Sequence, residues 1–332
     1  MDPLAQGLAG AALAGSGARD DKETRRALFV GFAAGLLPDL DVFIRSAEDP
    51  LLRLEFHRQF THSLIFIPLG GLLAAAVFWP FLRKKTSFRR IWLLASLGYG
   101  THGLIDACTS YGTYLLWPFS DMRVAWNNVA IVDPIFSFAL ILLLGLAFLR
   151  RKPRLARQGL CFGLAWLFLG VVQRERVESE ARQLAEVRGH SVERIVVKPS
   201  IFNNLLWRST YLSGGAIHAD ALRLHVFSGP TLYEGGSVPL LDWPALQSAY
   251  GIDSRAYRDA KRFAHFSDGF VALKPDDPNV IGDFRYALLP NTLDPVWGIR
   301  LNPEKPNGPI RFENFRQMDE ATWEAFWNML WD

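Results

Sequence analysis

Six side chains early in the chain are of the kinds that hold a divalent cation or serve one: Asp39, Asp41, His57, His62, His102 and Asp106. They fall in three short motifs, Pro38-Asp-Leu-Asp41, His57-Arg-Gln-Phe-Thr-His-Ser63 and His102-Gly-Leu-Ile-Asp106. Imidazole nitrogen and carboxylate oxygen together suit zinc, with manganese the alternative. The chain has two cysteines, Cys108 and Cys161, so neither a disulfide framework nor a cysteine-based zinc site can be built from them.

The spacing within each motif restricts what it can do. His102 and Asp106 are four apart in a helical context, on one face and a single turn from each other. Such a pair either chelates one ion or uses its carboxylate to orient its imidazole. The bland alternative is a hydrogen-bonded pair that satisfies two buried groups. Asp39 and Asp41, two apart after Pro38, point in different directions. One can ligate while the other, assigned here to Asp41, acts as general base or orients a neighbour. Thr61 reads as the N-cap of the apolar helix that follows His62, with His57 in the preceding turn. Two interfacial histidines meeting lipid headgroups are the competing explanation. Asp133, ahead of Pro134, is a candidate seventh ligand, although capping a helix would explain it without that role. Arg45, Arg53 and Arg58 can fork onto an anionic substrate or onto lipid headgroups. Trp117, Phe119 and Trp126 read as anchors at a membrane interface. Thr109, Ser110 and Thr113 offer hydroxyls that could orient ligands.

The elements that position these groups are apolar. Half of the 332 residues are hydrophobic, concentrated before about residue 172 in runs near 3–17, 26–38, 63–82, 91–107, 133–149 and 159–173. Only 63–82 reaches the roughly 20 residues that comfortably cross hydrocarbon. Short, Gly- and Ala-rich helices imply a compact membrane bundle; a soluble helical core is the alternative. A net charge of +3 gives no argument for nucleic acid. The basic residues instead gather in connections 18–25, 83–90 and 150–158, which the positive-inside rule places in the cytoplasm. Alternation then carries 39–62, 107–132 and everything after 173 to the outer side, together with every candidate ligand. The first helix lacks the basic residues of a secretory leader and is expected to be retained.

After Val172 the pattern changes to a charged helix reaching about Arg188, and then to β-like runs at 192–198, 207–212, 216–227, 270–273 and 284–289. Helical stretches are expected within 245–265 and at 322–331. The chain is therefore expected to form a membrane α-helical bundle of about six short apolar helices at 1–172. A soluble extracytoplasmic α+β domain follows at 173–332. His190, His218, His225 and His265 show no ligand spacing, and Asp283-Phe-Arg-Tyr reads as a structural ion pair.

The N-terminal Met1-Asp-Pro-Leu-Ala-Gln-Gly-Leu-Ala-Gly-Ala, the three His/Asp motifs and Thr109-Ser-Tyr-Gly-Thr together resemble the YdjM-like inner-membrane family over about residues 1–150. That family is described as membrane-bound metal-dependent hydrolases, which implies a bacterial inner-membrane location and hydrolytic activity. The family's Thr-His near the N-terminus is Ala5-Gln6 here, which removes one candidate ligand. The expectation is a hydrolase acting on a phosphoester or ester of a lipid or envelope molecule, with the bilayer as neighbour. Asp39, His57, His62, His102 and Asp106 would hold the metal. A non-catalytic scaffold with a structural metal, and an ion- or proton-coupled transporter, are the rivals from other classes.

Overall fold

The computed structural model describes residues 1–225 and 229–331, so the strand end expected at Phe227 lies outside the described residues. The first helix, α1 (Pro3–Ser16), starts where the side chains dictate. Asp2 accepts the Ala5 N–H, and Pro3, with no N–H to satisfy, occupies the first turn. Helix α2 (Asp21–Leu36) begins within the stretch expected to be a loop. Asp20 caps it, and Asp21 and Glu23 in its first turn complement the helix dipole, so Lys22 and Arg25 are helical. A 3-10 turn at Leu37–Phe43 leads to a short helix α3 (Leu52–Phe56) and two further 3-10 turns, Phe60–His62 and Leu64–Phe66. Then come α4 (Ile67–Leu82), α5 (Phe88–Cys108), α6 (Pro134–Arg150) and the 35-residue α7 (Pro153–Val187). Thr61 caps none of these; α4 starts later, without a side-chain cap.

Small residues let the helices touch backbone to backbone. A Cβ on Gly31 of α2 would sit 2.4 Å from the Gly10 carbonyl oxygen of α1, and one on Gly98 of α5 would sit 2.4 Å from the Gly31 oxygen. No side chain fits at either place, and the close approach is the packing mode of helices that associate in lipid. Six helices coincide with the six apolar segments. Among the described residues two stretches, Leu64–Leu82 and one within α7, are long and apolar enough to cross a membrane. Only 22% of either is buried in the protein, and Leu73, Val77, Phe81, Leu164 and Phe168 are exposed. The expected six membrane helices reduce to these two candidates on length and composition.

The chain divides into two compact units. The first holds Met1–Phe43, Phe56–Val172 and Ile201–Asn203; the second holds Ile44–Glu55, Gln173–Ser200 and the chain from Asn204 onward. Within the second, β1 (Arg194–Pro199), β2 (Leu206–Ser213), β3 (Ala216–Arg223) and β4 (Thr231–Pro239) form an antiparallel sheet in sequence order. Gly214 and Gly215, both at positive φ, make the tight β2–β3 turn. A second antiparallel sheet joins β5 (Val271–Lys274), β6 (Asp277–Asp283), β7 (Trp297–Arg300) and β8 (Arg311–Asn314). Helices α8 (Trp243–Tyr250), α9 (Arg255–Phe266) and α10 (Glu320–Trp331) complete an all-antiparallel α+β unit. Leu212, Ile217 and Val238 of the first sheet share a core with Phe270, Ala272 and Phe284. The segment 284–289, expected as a strand, is instead turn and a single bridge.

Candidate metal centre

Helix α5 carries His102 and Asp106 on one face, both fully buried. The 3-10 turn after α2 brings Asp39 to them. His62 comes from the 3-10 turn that lies directly on α5 at Gly103, where a Cβ would meet the His62 carbonyl oxygen at 2.2 Å. Tyr99, one turn earlier on α5, donates to the Thr61 carbonyl at 2.7 Å and fastens the same turn.

Four donor atoms converge. His62 Nε2 is 3.5 Å from Asp39 Oδ1 and 3.3 Å from Asp106 Oδ2; His102 Nε2 is 3.2 Å and 3.6 Å from the same two oxygens. Four ligands held at about 2.0–2.1 Å around a tetrahedral ion stand about 3.3–3.4 Å apart, which is the spacing seen. These four atoms are all buried without a hydrogen-bond partner. Buried polar atoms are almost always satisfied. Four such atoms converging on one point fit a cation, although Asp106 Oδ2 also has the Arg58 guanidinium as an ion-pair neighbour, so the donor set passes the test for a divalent metal.

The other nitrogen of each imidazole is held by protein. His102 Nδ1 lies 2.6 Å from the Gly35 carbonyl oxygen, which fixes the proton on Nδ1 and leaves Nε2 as the lone-pair donor. His62 Nδ1 faces Asp41 Oδ2 at 3.2 Å and Thr61 Oγ1 at 2.9 Å. Asp106 Oδ1 accepts Gln6 Nε2 at 2.7 Å and the Met1 amine, leaving Oδ2 for the cluster, where Arg58 Nε approaches to 3.0 Å. Burial by itself would lower the His62 pKa. Asp106, Asp39 and Asp41 around it outweigh burial and push it up to about 10, so the site draws positive charge. Burial would raise Asp39, but His102 and His62 hold its carboxyl well below the usual range.

The remaining residues sort by contact. Both oxygens of Asp41 are used: Oδ1 by His57 Nδ1 at 2.7 Å, Oδ2 by the Arg58 N–H at 3.0 Å and Thr61 Oγ1 at 2.7 Å. Of the two roles expected for Asp41, these are the contacts of an orienting residue. His57 stands outside the four, in a second grouping with Asp39 and Asp41 whose donor atoms lie within 4.8 Å of one another. Asp133 caps α6, accepting the Phe136 N–H at 3.0 Å and Trp166 Nε1 at 2.8 Å. Arg45 and Arg53 are exposed and belong to the second unit. Arg58 is buried, with Nη1 donating to Thr109 Oγ1 at 3.1 Å. Phe119 and Trp126 are exposed, while Trp117 packs on Phe60. In the second unit, His190 and Tyr211 pair through Nδ1 and the phenol, His218 stacks on Tyr211, and Asp283 is buried in a forked pair with Arg285. The contribution that sequence reasoning missed is the Gly35 carbonyl, for which no side-chain signal exists. Gln6 and Thr61 stand in the sequence motifs, but nothing in their spacing announces the contacts with Asp106 and Asp41.

The model of the YdjM inner membrane protein family matches residues 1–177, more than half of the chain. The chain belongs to that family. Two curated relatives are similar to it. Uncharacterized protein YfhP of Bacillus subtilis (strain 168) is 24% identical over 208 residues, 60% of this chain and 62% of the relative. Inner membrane protein YbcI of Escherichia coli (strain K12) is 34% identical over 100 residues, 30% of this chain and 57% of the relative. The chain thus spans about three fifths of each relative's length. No solved structure matches. Family membership makes this a membrane protein and agrees with the two exposed apolar stretches. All four convergent donors fall within the matched residues.

Proposed function

We propose that this YdjM-family member is a membrane-bound metal-dependent hydrolase whose centre is formed by Asp39, His62, His102 and Asp106. The observation that carries this reading is the convergence of four buried donor atoms, none of them hydrogen-bonded, at tetrahedral spacing. A divalent ion held there, zinc or manganese, would supply Lewis acidity and a nucleophilic water at neutral pH. The chain's own contribution is orientation. Gly35 and Asp41 set the imidazole tautomers, Gln6 turns Asp106, and the packed α1, α2 and α5 help exclude solvent from the four donor atoms. Asp39, with 31% of its side chain accessible, marks the open side.

The substrate class follows from what surrounds that opening in the chain. Leu40 and Phe43 flank Asp39 and Asp41, Leu64 and Ile65 follow His62, and Leu104 lies between His102 and Asp106; all five are exposed. Apolar groups presented outward beside a polar centre suit an amphipathic substrate whose headgroup reaches the ion while its chains stay in lipid. We take the substrate to be a phosphoester or ester of a lipid or envelope molecule, reached on the extracytoplasmic side. Detergent-purified protein incubated with such lipids should release headgroup or fatty acid in a metal-dependent way, and His102→Ala should not. Release by His102→Ala at the wild-type rate would refute the assignment.

One observation favours a second reading. Four protein donors can close a tetrahedral zinc site, and closed sites are structural. Cobalt(II) substituted into the protein separates the two by its visible absorption. A weak five- or six-coordinate spectrum that responds to added phosphate supports the hydrolase. An intense four-coordinate spectrum indifferent to anions supports a scaffold.

A further inference from the structure

The chain that links the two halves of the cluster is held by the second unit. Asp41 and His57 are 16 residues apart in sequence, and Ile44–Glu55 between them belongs to that unit. There it is fastened chiefly by one side chain of α9. Arg262 donates from Nη1 and Nη2 to Asp49 at 3.1 and 2.8 Å, and from Nε and Nη2 to Glu55 at 2.7 and 2.8 Å. Its Nη1 also reaches Asp259 at 2.8 Å, so α9 aims the fork. Two turns earlier, Arg255 donates to the Glu48 carbonyl.

An exposed ion pair usually contributes little, because two long side chains must be ordered to make it. This one differs in geometry: one planar guanidinium engages three carboxylates, two of them through paired hydrogen bonds. It also acts where order matters. Asp39 and Asp41 precede the fastened loop and His57, Arg58 and His62 follow it, so the loop's conformation decides how freely the donor Asp39 moves against the donor His62. A loop left unfastened would have to be ordered when the ion binds, and that entropy would come out of the binding free energy.

We propose that Arg262 is a positioning residue for the metal centre, through which the C-terminal unit sets the affinity for a divalent cation. The proposal rests on the reading of the four donors as a metal centre. Its test is a cobalt(II) titration of the full chain in detergent, followed by visible absorption. Arg262→Ala should weaken binding about tenfold or more, the effect expected of residues that position ligands, and Arg262→Lys should fall between it and the wild type. The control is Arg300→Ala, which removes a comparable pairing with Asp277 and Glu313 in the second sheet and should leave affinity unchanged. Binding by Arg262→Ala within about twofold of the wild type, or equal weakening by Arg300→Ala, would overturn the proposal. Failure of the wild type to bind cobalt would instead overturn the metal centre itself. Should Arg262→Ala not fold, Glu55→Gln keeps the bulk and removes one partner; it should weaken binding in the same direction, and unchanged affinity overturns the idea.

Discussion

At the scale of single residues, the centre separates donors from the groups that aim them, and the two kinds should fail differently. His102→Ala deletes a donor and should abolish stoichiometric metal in purified protein, measured by elemental analysis. Asp41→Asn leaves all four donors in place but no longer pulls on His62 and His57 as a charged acceptor. Its cost should be about 10–100-fold in affinity with the binding stoichiometry retained. Equal loss in both would mean that Asp41 is itself a ligand. The protonation of His62 gives a second expectation. Its pKa is raised in the metal-free fold from 6.5 to about 10 by the surrounding carboxylates. A group raised in the folded state stabilises it below its unfolded value and loses that contribution as pH climbs through the folded one. Metal-free protein should therefore lose stability between about pH 6.5 and 10, while the metal-bound form should not. The same proton must leave when the ion enters, so affinity should fall as pH drops, and calorimetry in buffers of different ionisation enthalpy should register proton release.

At the scale of elements, the centre depends on backbones that touch. Gly103→Ala should keep the fold and shift the His62 turn, because the added methyl meets the His62 carbonyl; metal affinity should drop with little change in melting temperature. Gly31→Val should instead separate α1, α2 and α5 and cost about 1–3 kcal/mol of stability, read as an earlier thermal transition in detergent. The reverse ranking would show that the helices, and not the turn, set the donor geometry. How much of this the sequence announces varies with the element. The apolar runs mark α1, α4, α5 and α6 closely, since hydrophobic content alone identifies them. The start of α2 is hidden, because Asp20-Asp21 and the neighbouring basic residues look like a loop although they cap a helix. Strand β4 is hidden by Gly235-Gly236, which reads as a turn, yet a Cβ on Gly235 would strike the Ala219 carbonyl at 2.1 Å across the sheet. Among the histidines, spacing cannot tell His57 from His62. Between them lies a left-handed residue, Arg58 at φ 67°, and no motif encodes that.

At the scale of the whole chain, the basic connections meet. Arg25 donates to the Phe148 and Leu149 carbonyls at the end of α6, and Arg26 donates to the Lys85 carbonyl between α4 and α5. Lys152 pairs with Asp21, Arg157 reaches the Ser16 carbonyl, and Arg90 forks onto buried Glu23. Some of this charge is thus spent on protein, but Arg83, Lys84, Lys85 and Arg89 remain exposed at the same end. His102 lies fourteen residues along α5 from Phe88, about 20 Å at the rise of an α-helix, so the metal centre and the basic end occupy opposite ends of one bundle. A positive end kept in the cytoplasm then requires the centre to open on the other face. The orientation is testable with single cysteines introduced in a Cys161→Ser background, since the other native thiol, Cys108, is buried. On intact cells a membrane-impermeant maleimide should label Asp121→Cys, whereas Lys84→Cys should react only after lysis. Labelling of Lys84→Cys from outside would invert the bundle, put the centre in the cytoplasm, and remove envelope lipids of the outer leaflet from its reach.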